Sequence, residues 1–235
     1  MYRMDERNRR IGEMFSGIAP KYDFLNRLLS FGKDRKWRRL AVAGIRPERG
    51  GRHLDVATGT ADVALEILRR KGAESFVVGS DISPEMMRIG RKKADRAGWG
   101  GRLAFVRAPG EALPFPDGVF DSASIAFGIR NVADRGRGLC EMCRVVRRGG
   151  RVVVLEFSLP EGALFGALYR FYFTRVLPRI GGIVSRRKAY DYLPDSVREF
   201  PSPAAFTEMM RAAGCAAVEY RPLTCGIVTL YVGTR

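Results

Sequence analysis

Asp55-Val-Ala-Thr-Gly-Thr-Ala-Asp62 joins an apolar run over residues 52–57 to a helical pattern over 62–70. A strand that ends in an acid, bends at a glycine and enters a helix is the first crossover of an open α/β sheet. Gly59 lets the backbone pass close to a ligand, and Thr58 and Thr60 offer hydroxyls at a helix N-terminus. Outward from this bend, further strands are expected at 75–80, 103–106, 120–127 and 152–155, the last set off by a turn at Gly149-Gly150. The second strand is followed by a helix opened by Ser83-Pro84-Glu85, with serine at the cap and proline in the first turn. Near-continuous apolar strands separated by helices predict a mostly parallel sheet covered on both faces. A helix over 202–213 stopping at Gly214, then strands at 216–220 and 227–232, closes the sheet.

In such a sheet the ligand lies beyond the carboxyl ends of the strands. Asp81 stands at the end of the second strand, where a carboxylate can accept hydrogen bonds from both ribose hydroxyls of an adenosine. A dinucleotide needs G-x-G-x-x-G so that its pyrophosphate can lie on bare backbone. Here Ala57 and Ala61 flank a single glycine. Asp55 also suits a cationic ligand better than a phosphate. S-adenosylmethionine, which carries an ammonium and a sulfonium and no phosphate, fits both features.

The rest of the chain sets bounds. It has 235 residues and 46% hydrophobic content, which excludes a disordered or collagen-like chain and is ordinary for one α/β domain. No apolar run reaches the ~18 residues that span a bilayer. The opening MYRMDERNRR has no apolar core of a signal peptide, so a cytoplasmic protein is expected. Lys and Arg number 41 against 25 Asp and Glu, a net charge of +16. That balance suits an anionic membrane surface or a nucleic acid equally, and does not decide between them. Of the four cysteines, Cys140-x-x-Cys143 has no second pair at metal-ligand spacing, and the only histidine is His53, in the first strand. No metal is expected. The pair is read as packing inward from a helix over 134–147, beside Leu139 and Val146. A helical section over 6–44, with an aromatic stripe of Phe15, Tyr22, Phe24, Phe31 and Trp37, precedes the core. An insertion over 160–200 follows the fifth strand, and both are read as a lid over the strand ends.

Several motifs together resemble the UbiE/MenG methyltransferases. They are Tyr22-Asp-Phe-Leu-Asn-Arg-Leu-Leu-Ser-Phe-Gly32 with Trp37, Gly110-Glu-Ala-Leu-Pro-Phe-Pro-Asp117, Phe127-Gly-Ile-Arg-Asn-Val132, the run from Arg144 to Ser158, Leu177-Pro-Arg-Ile-Gly181 and Tyr192-Leu-Pro-Asp-Ser196. The likeness spans about Met14 to Val232. It implies a class I S-adenosylmethionine-dependent methyltransferase, a Rossmann-like, mostly parallel seven-stranded sheet forming one domain over 1–235. Residues 1–45 would be its lid and 160–200 a substrate-side insertion. It further implies C-methylation of a prenylated quinol, demethylmenaquinol or the related ubiquinone precursor. Thr60, Asp81, Ile82, Pro109, Gly110 and Ala126 fall on the family's cofactor positions, beside Asp55 and Gly59. Pro109 replaces a usual Asp or Asn, Ala126 a frequent Ser, Ala61 the third glycine and Asp34 a frequent His.

Methyl transfer from a sulfonium is an in-line displacement, which rests on alignment. The accepting ring carbon becomes nucleophilic as the neighbouring hydroxyl loses its proton, so a polarising group is needed there. Arg130 can stabilise the forming phenolate, Asn131 can hold a proton-accepting water, and Tyr22 can close over the substrate. Aromatic and cationic residues interleaved over 163–188 suit an amphipathic segment at an anionic membrane interface. Three other readings compete. One is an RNA methyltransferase, but Ala126-Phe-Gly-Ile-Arg-Asn131 lacks the Asp/Asn-Pro-Pro-aromatic motif that grips an amino group, so no nucleic acid is expected. Another is a different lipophilic acceptor. The third is a basic binding module without chemistry.

Overall fold

The computed structural model describes residues 6–46, 49–72, 74–160 and 194–235. Two helices lead in, α1 (Glu6–Leu29) and α2 (Asp34–Ala43). There follow β1 (Gly51–Val56), α3 (Asp62–Lys71), β2 (Ser75–Asp81), α4 (Pro84–Arg96), β3 (Leu103–Arg107) and β4 (Phe120–Ala126). A short 3-10 turn (Ile129–Asn131), α5 (Arg135–Val145), β5 (Val146–Phe157), α6 (Pro203–Ala212), β6 (Ala217–Leu223) and β7 (Val228–Thr234) complete the order. The sheet runs β3-β2-β1-β4-β5-β7-β6. Its first five strands are parallel, and β7 is antiparallel to both neighbours. The order reverses between β1 and β4, so the strand ends there open a crevice.

Two apolar layers cover the sheet. One joins Leu54, Val56, Ile125, Val152 and Val154 to α5 and α6 through Leu139, Met142, Phe206 and Met210. The other packs Trp37, Val42, Ile67 and Leu68 against Val77, Val153 and Leu155. Strand residues thus alternate between two buried faces, as a doubly covered sheet requires. Helix starts follow the side chains available to cap them. The Ser83 hydroxyl accepts from Met86 N at 3.2 Å, Asp134 from Arg137 N at 2.9 Å and Ser202 from Ala205 N at 3.3 Å.

Several expectations are corrected. The fifth strand starts at Val146, ahead of the Gly149-Gly150 pair, because β5 pairs with β4 on both sides of a bulge: the register jumps from Phe120↔Val146 to Ser122↔Arg151. A Cβ at Gly150 would stand 2.5 Å from the Asp121 carbonyl oxygen, so the bulge needs glycine. Cys143 is buried against Cys215, with sulfurs 3.4 Å apart, but Cys140 is exposed, since α5 turns it away from the sheet. The aromatic residues before the core do not form one stripe. Trp37 is buried and donates from Nε1 to Thr224 Oγ1 at 2.8 Å, whereas Phe24 and Phe31 are exposed. Asp34, in place of a frequent histidine, is buried and pairs with Arg38 at 2.5 Å. Most of the insertion over 160–200, with the whole of 163–188, lies outside the described residues.

Candidate active site

The β1–α3 bend opens the crevice. Ala57, Gly59 and Ala61 take φ of +50°, +55° and +65°. A Cβ on Gly59 would meet nothing within 4 Å, so its glycine serves the backbone turn and leaves bare main chain facing the cleft. The two alanines are accommodated by glycines opposite them. A Cβ on Gly128 would lie 2.7 Å from the Ala57 methyl, and one on Gly90 2.9 Å from that of Ala61.

Asp81 ties the bend to the end of β2. Its Oδ2 accepts from Gly59 N and its Oδ1 from Ser83 N, both at 2.8 Å. Burial pushes its carboxyl up, against the pull of these donors. Asp55 is buried at the end of β1, accepting from Thr58 Oγ1 at 2.7 Å and Ser124 Oγ at 2.9 Å. Its burial outweighs the bonds it accepts and pushes its carboxyl up to about 6.

A cleft of about 640 Å³, open solvent at its mouth included, lies over these strand ends. Gly59, Asp81, Ile82, Pro109, Gly110, Ala126, Asn131 and Tyr22 all line it. A recess of about 360 Å³, with Asp55, Thr60 and Arg38 in its wall, shares Tyr22, Gly59 and Ala126 with the cleft. Arg130 lines neither. Its Nη1 donates to Glu156 Oε1 at 2.7 Å and to the Phe127 carbonyl at 2.6 Å, and the guanidinium lies over the Phe157 ring. Its charge is still felt by Tyr22: burial pushes the Tyr22 phenol up, while a hydrogen bond with Asn26 and the charges of Arg130 and Arg38 oppose that. Asn131 Oδ1 is buried with no hydrogen-bond partner. His53 sits at the far end of β1, bonded through Nδ1 to Ser122 and through Nε2 to the Gly50 carbonyl.

Beyond Tyr22, sequence reasoning did not name the α1 residues that line the cleft. Asn8, Ile11 and Phe15 join Tyr22 in the cleft wall, and Ile18 and Ala19 pack on Met86 of α4. Ser16 shares a hydrogen bond with Ser83 at 2.8 Å, beside the cleft. Asp23 accepts from Thr60 Oγ1 at 2.6 Å and pairs with Lys93 at 2.8 Å. The Thr60 hydroxyl is therefore committed to α1, a use that no local motif signals. Lys93 also pairs with Asp62, which pairs with Arg38 at 3.1 Å. Burial pushes the Asp62 carboxyl up, but these two cations outweigh it and hold it below the usual range. Glu111, inside the motif at 110–117, also lines the cleft.

Two carboxylates, Asp81 and Glu111, line the cleft, and no Lys or Arg stands among its described lining residues. That wall fits a cationic, phosphate-free ligand and disfavours a pyrophosphate. Comparison with known proteins agrees. The sequence profile of the ubiE/COQ5 methyltransferase family matches residues 3–235. The chain belongs to this family. Among curated relatives, the ubiquinone/menaquinone biosynthesis C-methyltransferase UbiE of Geobacter sulfurreducens is 56% identical, over 100% of this chain and 92% of its own. The demethylmenaquinone methyltransferase of Thermus thermophilus is 52% identical, over 94% of this chain and 100% of its own. Among solved structures, an S-adenosylmethionine-dependent methyltransferase of Thermotoga maritima superposes with a TM-score of 0.66 at 20% identity, over 95% of this chain and 98% of its own. That likeness shows the fold. As a member of the ubiE/COQ5 family, the protein is a methyltransferase that uses S-adenosylmethionine.

Proposed function

We propose that this protein methylates a ring carbon of a prenylated quinol, demethylmenaquinol or the related ubiquinone precursor. The observation that carries the reading is the cleft at the β1–β4 switch point, acidic and free of described cations, in a chain 56% identical to a quinone-pathway C-methyltransferase. Asp81 would hold the ribose of the donor. Gly59 and Ala126 give it bare space, Ile82, Pro109 and Gly110 flank its base, and Asp55 and Thr60 bound the adjoining recess. When bound, S-adenosylmethionine supplies an electrophilic methyl group on sulfur.

The remaining work falls to the chain's own residues. Tyr22, kept protonated by burial, donates a hydrogen bond to the quinol oxygen as negative charge develops there. Asn131, with its unpartnered Oδ1 in the cleft wall, orients the hydroxyl or the water that takes its proton. Arg130 acts from outside the cleft by its charge on Tyr22. The helices α1 and α2 act as a lid, with α1 excluding water over the reacting atoms.

The prenyl tail calls for access to a bilayer, and we assign the protein a peripheral contact with an anionic cytoplasmic membrane face. Phe24, Leu28 and Phe31 are exposed around the end of α1, among exposed Lys21, Arg27, Lys33, Arg35 and Lys36. Aromatic residues mixed with cations suit that interface. No helix among the described residues is long and apolar enough to cross a membrane.

Transfer of labelled methyl to reduced demethylmenaquinol, set beside the benzoquinol precursor and bulk RNA, tests the reading. Label in either quinol and none in RNA is expected. Label in neither quinol overturns it. Flotation with vesicles should require anionic lipid and fade with salt, and indifference to both removes the membrane contact.

A further inference from the structure

The loop after β3 borders the cleft with Ala108, Pro109, Gly110 and Glu111. Asp81 ends β2, so a sugar held there places its base toward this loop, away from the β4 side where Ala126 and Asn131 stand. The wall offered to that base is apolar: Ile82, Met86, Ala108 and Val132. Pro109 brings neither an N–H nor a side-chain acceptor. Glu111 is different. It is 2% exposed, and its Oε1 accepts from Ala133 N at 2.7 Å and Asp134 N at 3.3 Å, which fixes the carboxylate on the segment leading into α5. Its Oε2 is buried and has no partner.

A buried carboxylate oxygen without a donor is costly, and here it belongs to a residue of the cleft wall. No protein donor supplies the missing partner, and an N–H or O–H brought by the ligand would supply it. On an adenine the outward donor is the exocyclic amine, since the ring nitrogens only accept. We propose that Glu111 reads the base of the methyl donor, with Oε2 accepting one N–H of the 6-amino group. This rests on the cleft being the donor site.

Calorimetric titration of the full chain with S-adenosylhomocysteine and with its 6-oxo counterpart, S-inosylhomocysteine, tests the assignment without any turnover. The wild-type protein should prefer the amino compound by about 10-fold or more, the scale of leaving one buried acceptor unpaired. Glu111→Gln keeps an oxygen for Ala133 and Asp134 and turns an NH2 toward the base. The preference should fall to about threefold or reverse, with the melting temperature little changed. A variant that keeps the wild-type preference, or a wild-type protein that binds both compounds alike, overturns the proposal. If Glu111→Gln does not fold, the wild-type protein with S-adenosylhomocysteine labelled with nitrogen-15 at the amine decides. Two separate amino proton signals, one shifted downfield, support the bond, and one averaged signal overturns it. Asp81→Ala separates the two levels of the reading. If it abolishes binding of both compounds while Glu111→Gln changes nothing, Glu111 alone is misassigned. If it leaves both affinities intact, the donor site is misplaced and the proposal falls with it.

Discussion

The ion pair behind the cleft gives a demanding test of how this site is built. Arg130 and Glu156 face each other with side chains 8% and 0% exposed, and Glu156 Oε2 also accepts from the Arg130 backbone N at 3.3 Å. Substituting Glu156→Gln removes the negative charge and keeps an acceptor for only one of the main-chain N–H groups of Arg130 and Phe157, which reach different carboxylate oxygens. The guanidinium then stays buried, with the Phe127 carbonyl and the Phe157 ring as its remaining partners and its Nε already unpaired. An uncompensated buried charge of this kind costs about 3–5 kcal/mol. A melting temperature moves by about 2–4 °C per kcal/mol in a domain of this size, so a fall of about 6–20 °C is expected. Arg130→Met strands the opposite charge and should cost a similar amount.

The double substitution Arg130→Met with Glu156→Gln removes both charges and should return to within about 2 kcal/mol of wild type, because well-packed neutral groups often replace a buried pair at little cost. Urea denaturation of the four proteins gives the cycle. Because Arg130 does not line the cleft, the folded double variant should bind S-adenosylhomocysteine within about threefold of wild type. Single variants within about 1 kcal/mol of wild type, or a double variant as unstable as the two losses added, would refute the reasoning and leave Arg130 free to meet substrate directly.

Asp55 predicts a pH dependence. Its folded-state pKa, raised from the ordinary 3.8 to about 6, stabilises the fold fully only below about pH 3.8, and that contribution is lost as pH rises through about 6. The displacement corresponds to about 3 kcal/mol, so the stability of Asp55→Asn relative to wild type should improve by up to that amount between pH 4 and pH 7, read from paired urea melts. Asp23→Ala removes the partner of Thr60 and Lys93 on α1. The pair is partly exposed, so the cost should be about 1 kcal/mol or less, but amide exchange over the second half of α1 should speed up. Gly90→Ala should destabilise by about 1–3 kcal/mol despite the better helix residue, because its Cβ would stand 2.9 Å from the Ala61 methyl and 3.1 Å from the Phe105 ring. Adding Ala61→Gly should recover part of that loss in thermal melts, and no recovery would show that Phe105 sets the limit. Finally, Tyr22→Phe should lower kcat with little change in S-adenosylhomocysteine affinity, and an unchanged kcat would remove Tyr22 from the chemistry.

What the chain's letters disclosed, and what they withheld, divides along physical lines. Strand and helix positions were legible because each depends on a local period and on a cap within a few residues, as at Ser83-Pro84 and Ser202-Pro203. Asp81 was legible as a cleft residue for a similar reason: a strand end followed by a helix leaves its last side chain little choice of place. The start of β5 was not, since the bulge at 147–150 is set by pairing with β4, and a Gly-Gly pair reads locally as a turn.

Thr60 and Arg130 share a feature that local sequence does not show. Thr60 was assigned by its place at a helix start and by the family resemblance, Arg130 by its place beyond a strand end, and each carries a polar group that another element claims. Thr60 is taken by Asp23 from α1, and Arg130 by Glu156 from the neighbouring strand, 26 residues on. A polar side chain near a cleft goes to the nearest complementary group with which it can shed water, and only tertiary structure says where that group is. Glu111 Oε2 and Asn131 Oδ1, which no protein donor claims, are where a ligand's donors would find an acceptor. The hydrogen-bond ledger of the folded chain therefore ranks these candidates in a different order from strand position alone, putting Asn131 and Glu111 ahead of Arg130.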